Sequence, residues 1–232
     1  MKYFLDDKPR APMICIVPTR GRPDNVQAFI DTWEATKSGF CDLLFCVDDD
    51  DASDYDITLP EGVLVEEGPR LRLGPTLNHY SRELALHYEV VGFAGDDHRF
   101  RTPGWDEVFY EDAKTRGKAV IYGNDLYQGE RLPTAAFLTS NIVRAIGHMC
   151  PPGLIHLYLD NFWKELGKKG KCLSYFPEVI IEHVHPHAGG KSEWDERYEE
   201  VNSPEMYNHD REVWQKYKAL YLSTDVKRVR EI

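Results

Sequence analysis

Three side chains able to hold a metal ion stand in a row in the stretch Val90–Phe100, VVGFAGDDHRF: Asp96, Asp97 and His98. Glycine and aspartate also make ordinary solvated turns. Here, however, an apolar run leads directly into the cluster, which places it at the tip of a buried strand. A second set lies in EHVHPH, where His183, His185 and His187 alternate and so share one face of an extended segment. Pro186 limits how far a regular strand can run there. Carboxylates combined with imidazole suit a divalent ion such as manganese, whereas an all-oxygen site suits magnesium or calcium. Two or three protein ligands leave coordination positions open for phosphate oxygens, so an ion held this way neutralises charge on a departing diphosphate.

The elements that must position these residues follow from hydrophobic periodicity. MICIVPT and DLLFCV are expected as buried strands, GVLVEEG as a short third strand and VVGFAG as a buried fourth, with GDDHRFRTPG as its exit loop. AVIYG, TAAFLTS and LSYFPEVIIEHVHP are expected as further strands, the last interrupted at Pro177. Between them, Val26, Phe29, Ile30 and Trp33 mark one helical face, with Pro23 suited to the first helical position. Leu77, Tyr80, Leu84 and Tyr88 mark a second, and Trp105, Val108, Phe109 and Ala113 a third, closed by Gly117. NIVRAIG and LYLDNFWKELGKKG are expected as helices, the latter with a cationic last turn that its dipole favours. Trp105 is expected in the core. Ser203 and Pro204 open a polar helical tail.

Alternating strands and helices mean βαβ units and a mainly parallel sheet covered on both faces. Ligands of such sheets bind at the carboxyl ends of the strands. Thr19, Arg20 and Arg22 follow strand one, Asp48–Asp51 follow strand two and Asp96–His98 follow strand four, so the three clusters converge on one edge. The close arginine pairs Arg20/Arg22, Arg70/Arg72 and Arg99/Arg101, each taken alone, fit solvated loops.

With 232 residues the chain is long enough to bury a sizeable core. Its 28 basic and 39 acidic residues give a net charge of −11. That argues against a general nucleic-acid binder, which carries a basic footprint. The 5 cysteines lack C-x-x-C spacing and fit buried free thiols in a reducing compartment. No apolar run reaches membrane-span length, and the opening residues lack a signal-peptide layout, so a cytoplasmic protein is expected. No G-x-x-x-x-G-K-[ST] loop occurs and no G-x-G-x-x-G follows strand one, which excludes an ordinary P-loop NTPase and makes a dinucleotide dehydrogenase a poor fit.

IVPTRGRPDNVQAFIDTW, LNHYSRELA followed by VVGFAGDDHRFRTPGWDEVF, and LYLDNFWKELGKKGK, in that order, resemble nucleotide-sugar glycosyltransferases of the GT-A fold. Among these the chain is most similar to small, single-domain, family-2-like enzymes of bacteria and their phages. The resemblance covers residues 12–190 and implies an α/β, Rossmann-like GT-A domain spanning residues 1–232, with a helical tail over 191–232. It implies a metal-dependent inverting transferase with a nucleoside-diphosphate sugar donor, most often a uridine one, and Mn2+ or Mg2+ as cofactor. Pro18, Thr19, Arg20 and Arg22 match the loop that holds the nucleoside. Asp48 or Asp49 matches the acid that reads the base. Arg72, Asn78 and Asp96 are assigned to the donor, and Lys191, after a Gly-Gly pair, to its phosphates. Asp96–His98 stand where the D-x-D motif belongs. The third position is His98, and some enzymes of this fold use D-x-H with a further downstream histidine. Asp97, His98, His183 and His185 are therefore the metal candidates, Asp97 first. Asp160 matches the catalytic acid or base carried on a helix, with His156 four residues earlier.

Acceptors in this group include modified DNA bases, proteins and glycans. Two other readings fit the same residues. One is a metal-dependent phosphohydrolase or nuclease, which needs the Asp48–Asp51 run to help hold a second ion. The other is a nucleotide-sugar-binding module without catalysis.

Overall fold

The computed structural model describes residues 11–51, 53, 55, 57–185 and 196–232. The apolar runs of the first half form β1 (Met13–Thr19), β2 (Cys41–Asp48), β3 (Val63–Gly68) and β4 (Val90–Phe93). With β5 (His98–Phe100), β6 (Val120–Asn124), β7 (Ala136–Thr139) and β8 (Leu173–His183) they build an eight-stranded sheet in the order β3-β2-β1-β4-β7-β6-β8-β5. β7 is antiparallel to both its neighbours and β5 is antiparallel to β8, while the other pairs are parallel. The helices are α1 (Pro23–Thr36), α2 (Leu73–Leu84), α3 (Trp105–Arg116), α4 (Ser140–Ile146), α5 (Leu159–Gly170), α6 (Glu196–Val201), α7 (Pro204–Leu220) and α8 (Leu222–Glu231).

The period-2 alternation of side chains sends each strand's residues to opposite faces. Met13, Cys15 and Val17 of β1 join one core with α1, α3 and Phe100 of β5. Ile14 and Ile16 join the other, with α2, α4, α5, α7 and α8. Covering both faces explains why these strands read as continuous apolar runs. The α1 stripe Val26, Phe29, Ile30 and Trp33 is fully buried, and each such side chain contributes about 1.5–3 kcal/mol of transfer free energy. Leu77, Tyr80, Leu84 and Tyr88 are buried as expected, as is Trp105, but Val108 is exposed. It lies at the edge of a narrow stripe carried by Trp105, Phe109 and Ala113.

Two expectations need correction. Residues 98–100, taken as exit loop, form β5, which pairs His98, Arg99 and Phe100 with His183, Glu182 and Ile181. The buried guanidinium of Arg99 is satisfied by the carbonyls of Asp96 and His98 and by Asn25 Oδ1. The last helices, expected as a polar tail, bury Trp214, Tyr217, Leu222, Val226 and Val229 in the same core as α4 and α5. Ser203 does cap α7, accepting the Met206 N–H at 3.2 Å. All five cysteines are buried and free. No helix among the described residues is long and apolar enough to cross a membrane.

Candidate active site

All the parallel strands point their carboxyl ends at one edge of the sheet. β7 enters there because it runs the other way. The residues that leave or enter this edge line a cleft of about 560 Å3, among them Thr19, Arg22, Asp48, Arg72, Asp97, Thr134, Asp160 and His183. The convergence is direct: the Thr19 hydroxyl, at the end of β1, donates to Asp96 Oδ2, just beyond β4, at 2.7 Å.

Asp96 and Asp97 turn in opposite directions. Asp96 faces β1, where Thr19 and Arg22 (3.5 Å) hold it. Burial and the neighbouring Asp97 push its pKa up to about 6 against the pull of Arg22 and Thr19. Asp97 faces β5 and β8. Its Oδ2 lies 3.3 Å from His183 Nε2 and its Oδ1 3.3 Å from His98 Nδ1. Burial alone would raise its carboxyl, but His183 and His98 outweigh that and hold it well below the usual range. The β5–β8 register sets His98 opposite His183 with rings stacked, centroids 4.4 Å apart and 12° from parallel. Gly95 makes this fold-back feasible, because a Cβ there would stand 2.6 Å from Asp97 Oδ1.

Ligand atoms of Asp97, His98 and His183 all lie within 4.8 Å of one another, the one such group among the described residues. One carboxylate and two imidazoles form a donor set that fits a divalent transition metal such as manganese. His183 Nδ1 is buried without a hydrogen-bond partner. The nearest carboxylate to it is Asp125, 4.0 Å away, the kind of outer carboxylate that orients metal-bound histidines. Asp125 is itself rigid, because its Oδ1 accepts the N–H groups of Tyr127, Gln128 and Gly129 and its Oδ2 the Thr134 hydroxyl. Thr134 in turn sits 3.4 Å from His98 Nε2. Burial would depress the His183 pKa, but Asp97, Asp125 and Asp160 outweigh it and raise the group. His185 lines the cleft beside Tyr127, stacked at 5.8 Å, and lies outside the Asp97 cluster.

None of the arginine pairs is simply solvated. Arg20 bridges Asp48 (3.0 Å) and Asp50. Arg70 and Arg72 clasp Glu200 of α6, and Arg101 pairs with Glu182 at 2.7 Å. Arg72 has φ 72° and ψ 168°, a region that costs a non-glycine residue about 1–3 kcal/mol and gathers at ligand sites. Asp51 accepts the Gly21 N–H and the Tyr55 hydroxyl, both at 2.7 Å. The acidic run after β2 thus braces the loop after β1, and it forms no second group of metal-ligand type with Asp97.

Asp160 stands in the first turn of α5, deep in the cleft, and burial raises its carboxyl above the usual range. One of its oxygens accepts the Asn161 N–H at 2.8 Å. α5 begins at Leu159, so His156 is not one helical turn before Asp160, yet both line the cleft. Burial keeps His156 at a pKa of about 4, against the opposing pull of Asp210.

Some assigned residues lie elsewhere. Asn78 spends its side chain on the loop before α5, accepting from the Met149 and Cys150 N–H groups and donating to the Cys150 carbonyl. Asp49 is exposed and is not among the residues lining the cleft. Lys191 lies outside the described residues. Pro18 lines the cleft. Conversely, Tyr198, Glu200 and Thr134 line the cleft and carry no signal of their own in the sequence. They are single polar residues in polar segments, and only the topology brings them to the edge.

No family model and no curated protein matches the chain. Solved structures do. The chain is similar to glucosyl-3-phosphoglycerate synthase from Mycobacterium tuberculosis in complex with Mn2+, UDP-glucose and phosphoglyceric acid (TM-score 0.58, 12% identity, 89% of this chain and 79% of that one). It is similar to the mannosyltransferase PcManGT from Pyrobaculum calidifontis in complex with GDP-Man and Mn2+ (TM-score 0.54, 10% identity, 97% and 74%). It is also similar to TarS from S. aureus (TM-score 0.57, 11% identity), covering 91% of this chain and 43% of that one, so it spans less than half of TarS. At such identities the likeness is one of fold. The fold it defines is the GT-A fold.

Proposed function

We propose that this protein is a metal-dependent inverting glycosyltransferase. It moves a sugar from a nucleoside-diphosphate donor, a uridine one on the resemblance of its motifs, to an acceptor hydroxyl. The observation that carries the proposal is the meeting, in one cleft of a GT-A fold, of the Asp97–His98–His183 cluster with the half-buried carboxyl of Asp160. Thr19, Arg20 and Arg22 at the end of β1 and Asp48 at the end of β2 bind the nucleotide portion. Asp97 and His183, with His98 beside them, hold the metal, which when bound supplies positive charge to the leaving diphosphate.

Asp160 orients the acceptor. The acceptor oxygen attacks the anomeric carbon, the bond from that carbon to the diphosphate oxygen breaks, and the hydroxyl proton passes to the Asp160 carboxylate. Attack from the face opposite the leaving group inverts the anomeric centre. A carboxylate whose surroundings raise its pKa is a stronger base than an unperturbed one.

Asp160→Asn keeps the shape and the contact to Asn161 but removes the proton acceptor. The expected loss in transfer rate is about 10²–10⁴-fold, with metal-dependent donor affinity near wild type. Wild-type turnover in that variant sinks the assignment. The opposing account of Asp160, a helix-capping acid, gives reduced melting temperature with turnover per folded molecule preserved.

A further inference from the structure

α6 reaches into the cleft from the C-terminal side and engages the groups that the donor needs. The Tyr198 hydroxyl donates to Asp97 Oδ2 at 2.8 Å, the same oxygen that faces His183 Nε2. The Arg22 guanidinium lies over the Tyr198 ring, 4.4 Å from its centroid. Two residues on, the Glu200 carboxylate is bound by Arg70 at 2.8 Å and by Arg72 at 2.5 Å. Burial would raise the Glu200 carboxyl, but Arg72 and Arg70 outweigh it and hold it below the usual range. Glu200 is thus an anion held between two arginines, and Tyr198 sets a hydroxyl on the carboxylate assigned to the metal.

We propose that α6 is a built-in occupant of the donor site, with Glu200 standing in for a phosphate anion and Tyr198 for the ion on Asp97, so that donor binding must displace it. The inference rests on the proposed donor site. It has a definite sign. When only a fraction of molecules is open, the apparent Kd is the intrinsic one divided by that fraction. Weakening the α6 contacts therefore tightens binding, whereas removing residues that touch the donor loosens it.

The test is calorimetric titration of UDP with Mn2+, and of Mn2+ alone by electron paramagnetic resonance, on wild type, Tyr198→Phe and Glu200→Gln. A hydrogen bond to a charged group is worth enough that Tyr198→Phe should tighten Mn2+ binding roughly tenfold. Glu200→Gln should tighten UDP binding roughly three- to tenfold, in line with a partly exposed ion pair. Glu200→Gln also serves if Tyr198→Phe fails to fold. Binding that appears only in the variants supports the occupant strongly. Wild-type binding that is unchanged or weaker in both variants overturns it and leaves the donor site standing. No UDP binding in any of the three proteins overturns both.

Discussion

Asp210 tests how the cleft wall is held. Its side chain is completely buried on α7, and its two oxygens accept the N–H groups of Ile155 (3.0 Å), His156 (2.8 Å) and Leu157 (2.7 Å). His209 lies a further 2.9 Å from Oδ1. This loop leads directly into α5 and Asp160, so Asp210 pins one side of the cleft. Asp210→Ala orphans three N–H groups that face a side-chain position with no solvent exposure. A hydrogen bond to a charged group is worth about 1.5–3 kcal/mol; the three share one carboxylate and do not add, so about 3–5 kcal/mol is expected, within the range for breaking a buried charged network. That is a large part of the roughly 5–15 kcal/mol that stabilises a typical domain. Burial alone would raise the Asp210 pKa, but the three N–H groups and His209 outweigh it and depress it. The contribution is therefore fully present above the unfolded value of about 3.9 and is lost as pH falls through the lower folded value. Urea denaturation of wild type and Asp210→Asn from pH 7 down to pH 3 reads this out, with the gap between them narrowing at the acid end. An Ala variant that loses less than about 1 kcal/mol at pH 7, or a gap that widens on acidification, refutes the reasoning.

Two further substitutions probe the same scaffold. Gly74→Ala places a Cβ 2.2 Å from the Leu154 carbonyl oxygen, a clash with backbone that cannot rotate away, and thermal unfolding should show a loss of roughly 1–3 kcal/mol. Tyr217→Phe removes a hydroxyl that donates to Asp225 and lies 2.9 Å from His148 Nε2; leaving those buried groups short of a partner should cost about 1–3 kcal/mol in chemical denaturation and raise amide exchange in α8.

The centre of the sheet was legible because β1, β2 and β4, buried on both faces, appear as uninterrupted apolar runs, and the helices because their stripes are regular. β5 escaped because three residues with His98 and Arg99 at the front show no periodicity; burial of Arg99 rests on carbonyls that only the turn supplies. Asp97 and His183 were legible as ligand types at strand ends, yet which aspartate turns toward the histidines depends on Thr19 and Arg22 claiming Asp96. Asn78 looked like a donor residue within its motif, but its partners lie 71 and 72 positions along the chain. Tyr198 and Glu200 sit in a charged helix whose pattern says only that it is solvated. Their meaning comes from Asp97, Arg70 and Arg72, which tertiary structure brings to them.

The most direct test of the donor site is the metal dependence of UDP binding, measured by titration calorimetry with Mn2+ and with excess chelator on wild type and Asp97→Ala. The account predicts binding to the wild type that disappears with chelator, and no metal-dependent binding to the variant. Equal binding under all four conditions contradicts it, as does an absence of Mn2+-dependent binding from the wild type and from Tyr198→Phe and Glu200→Gln alike.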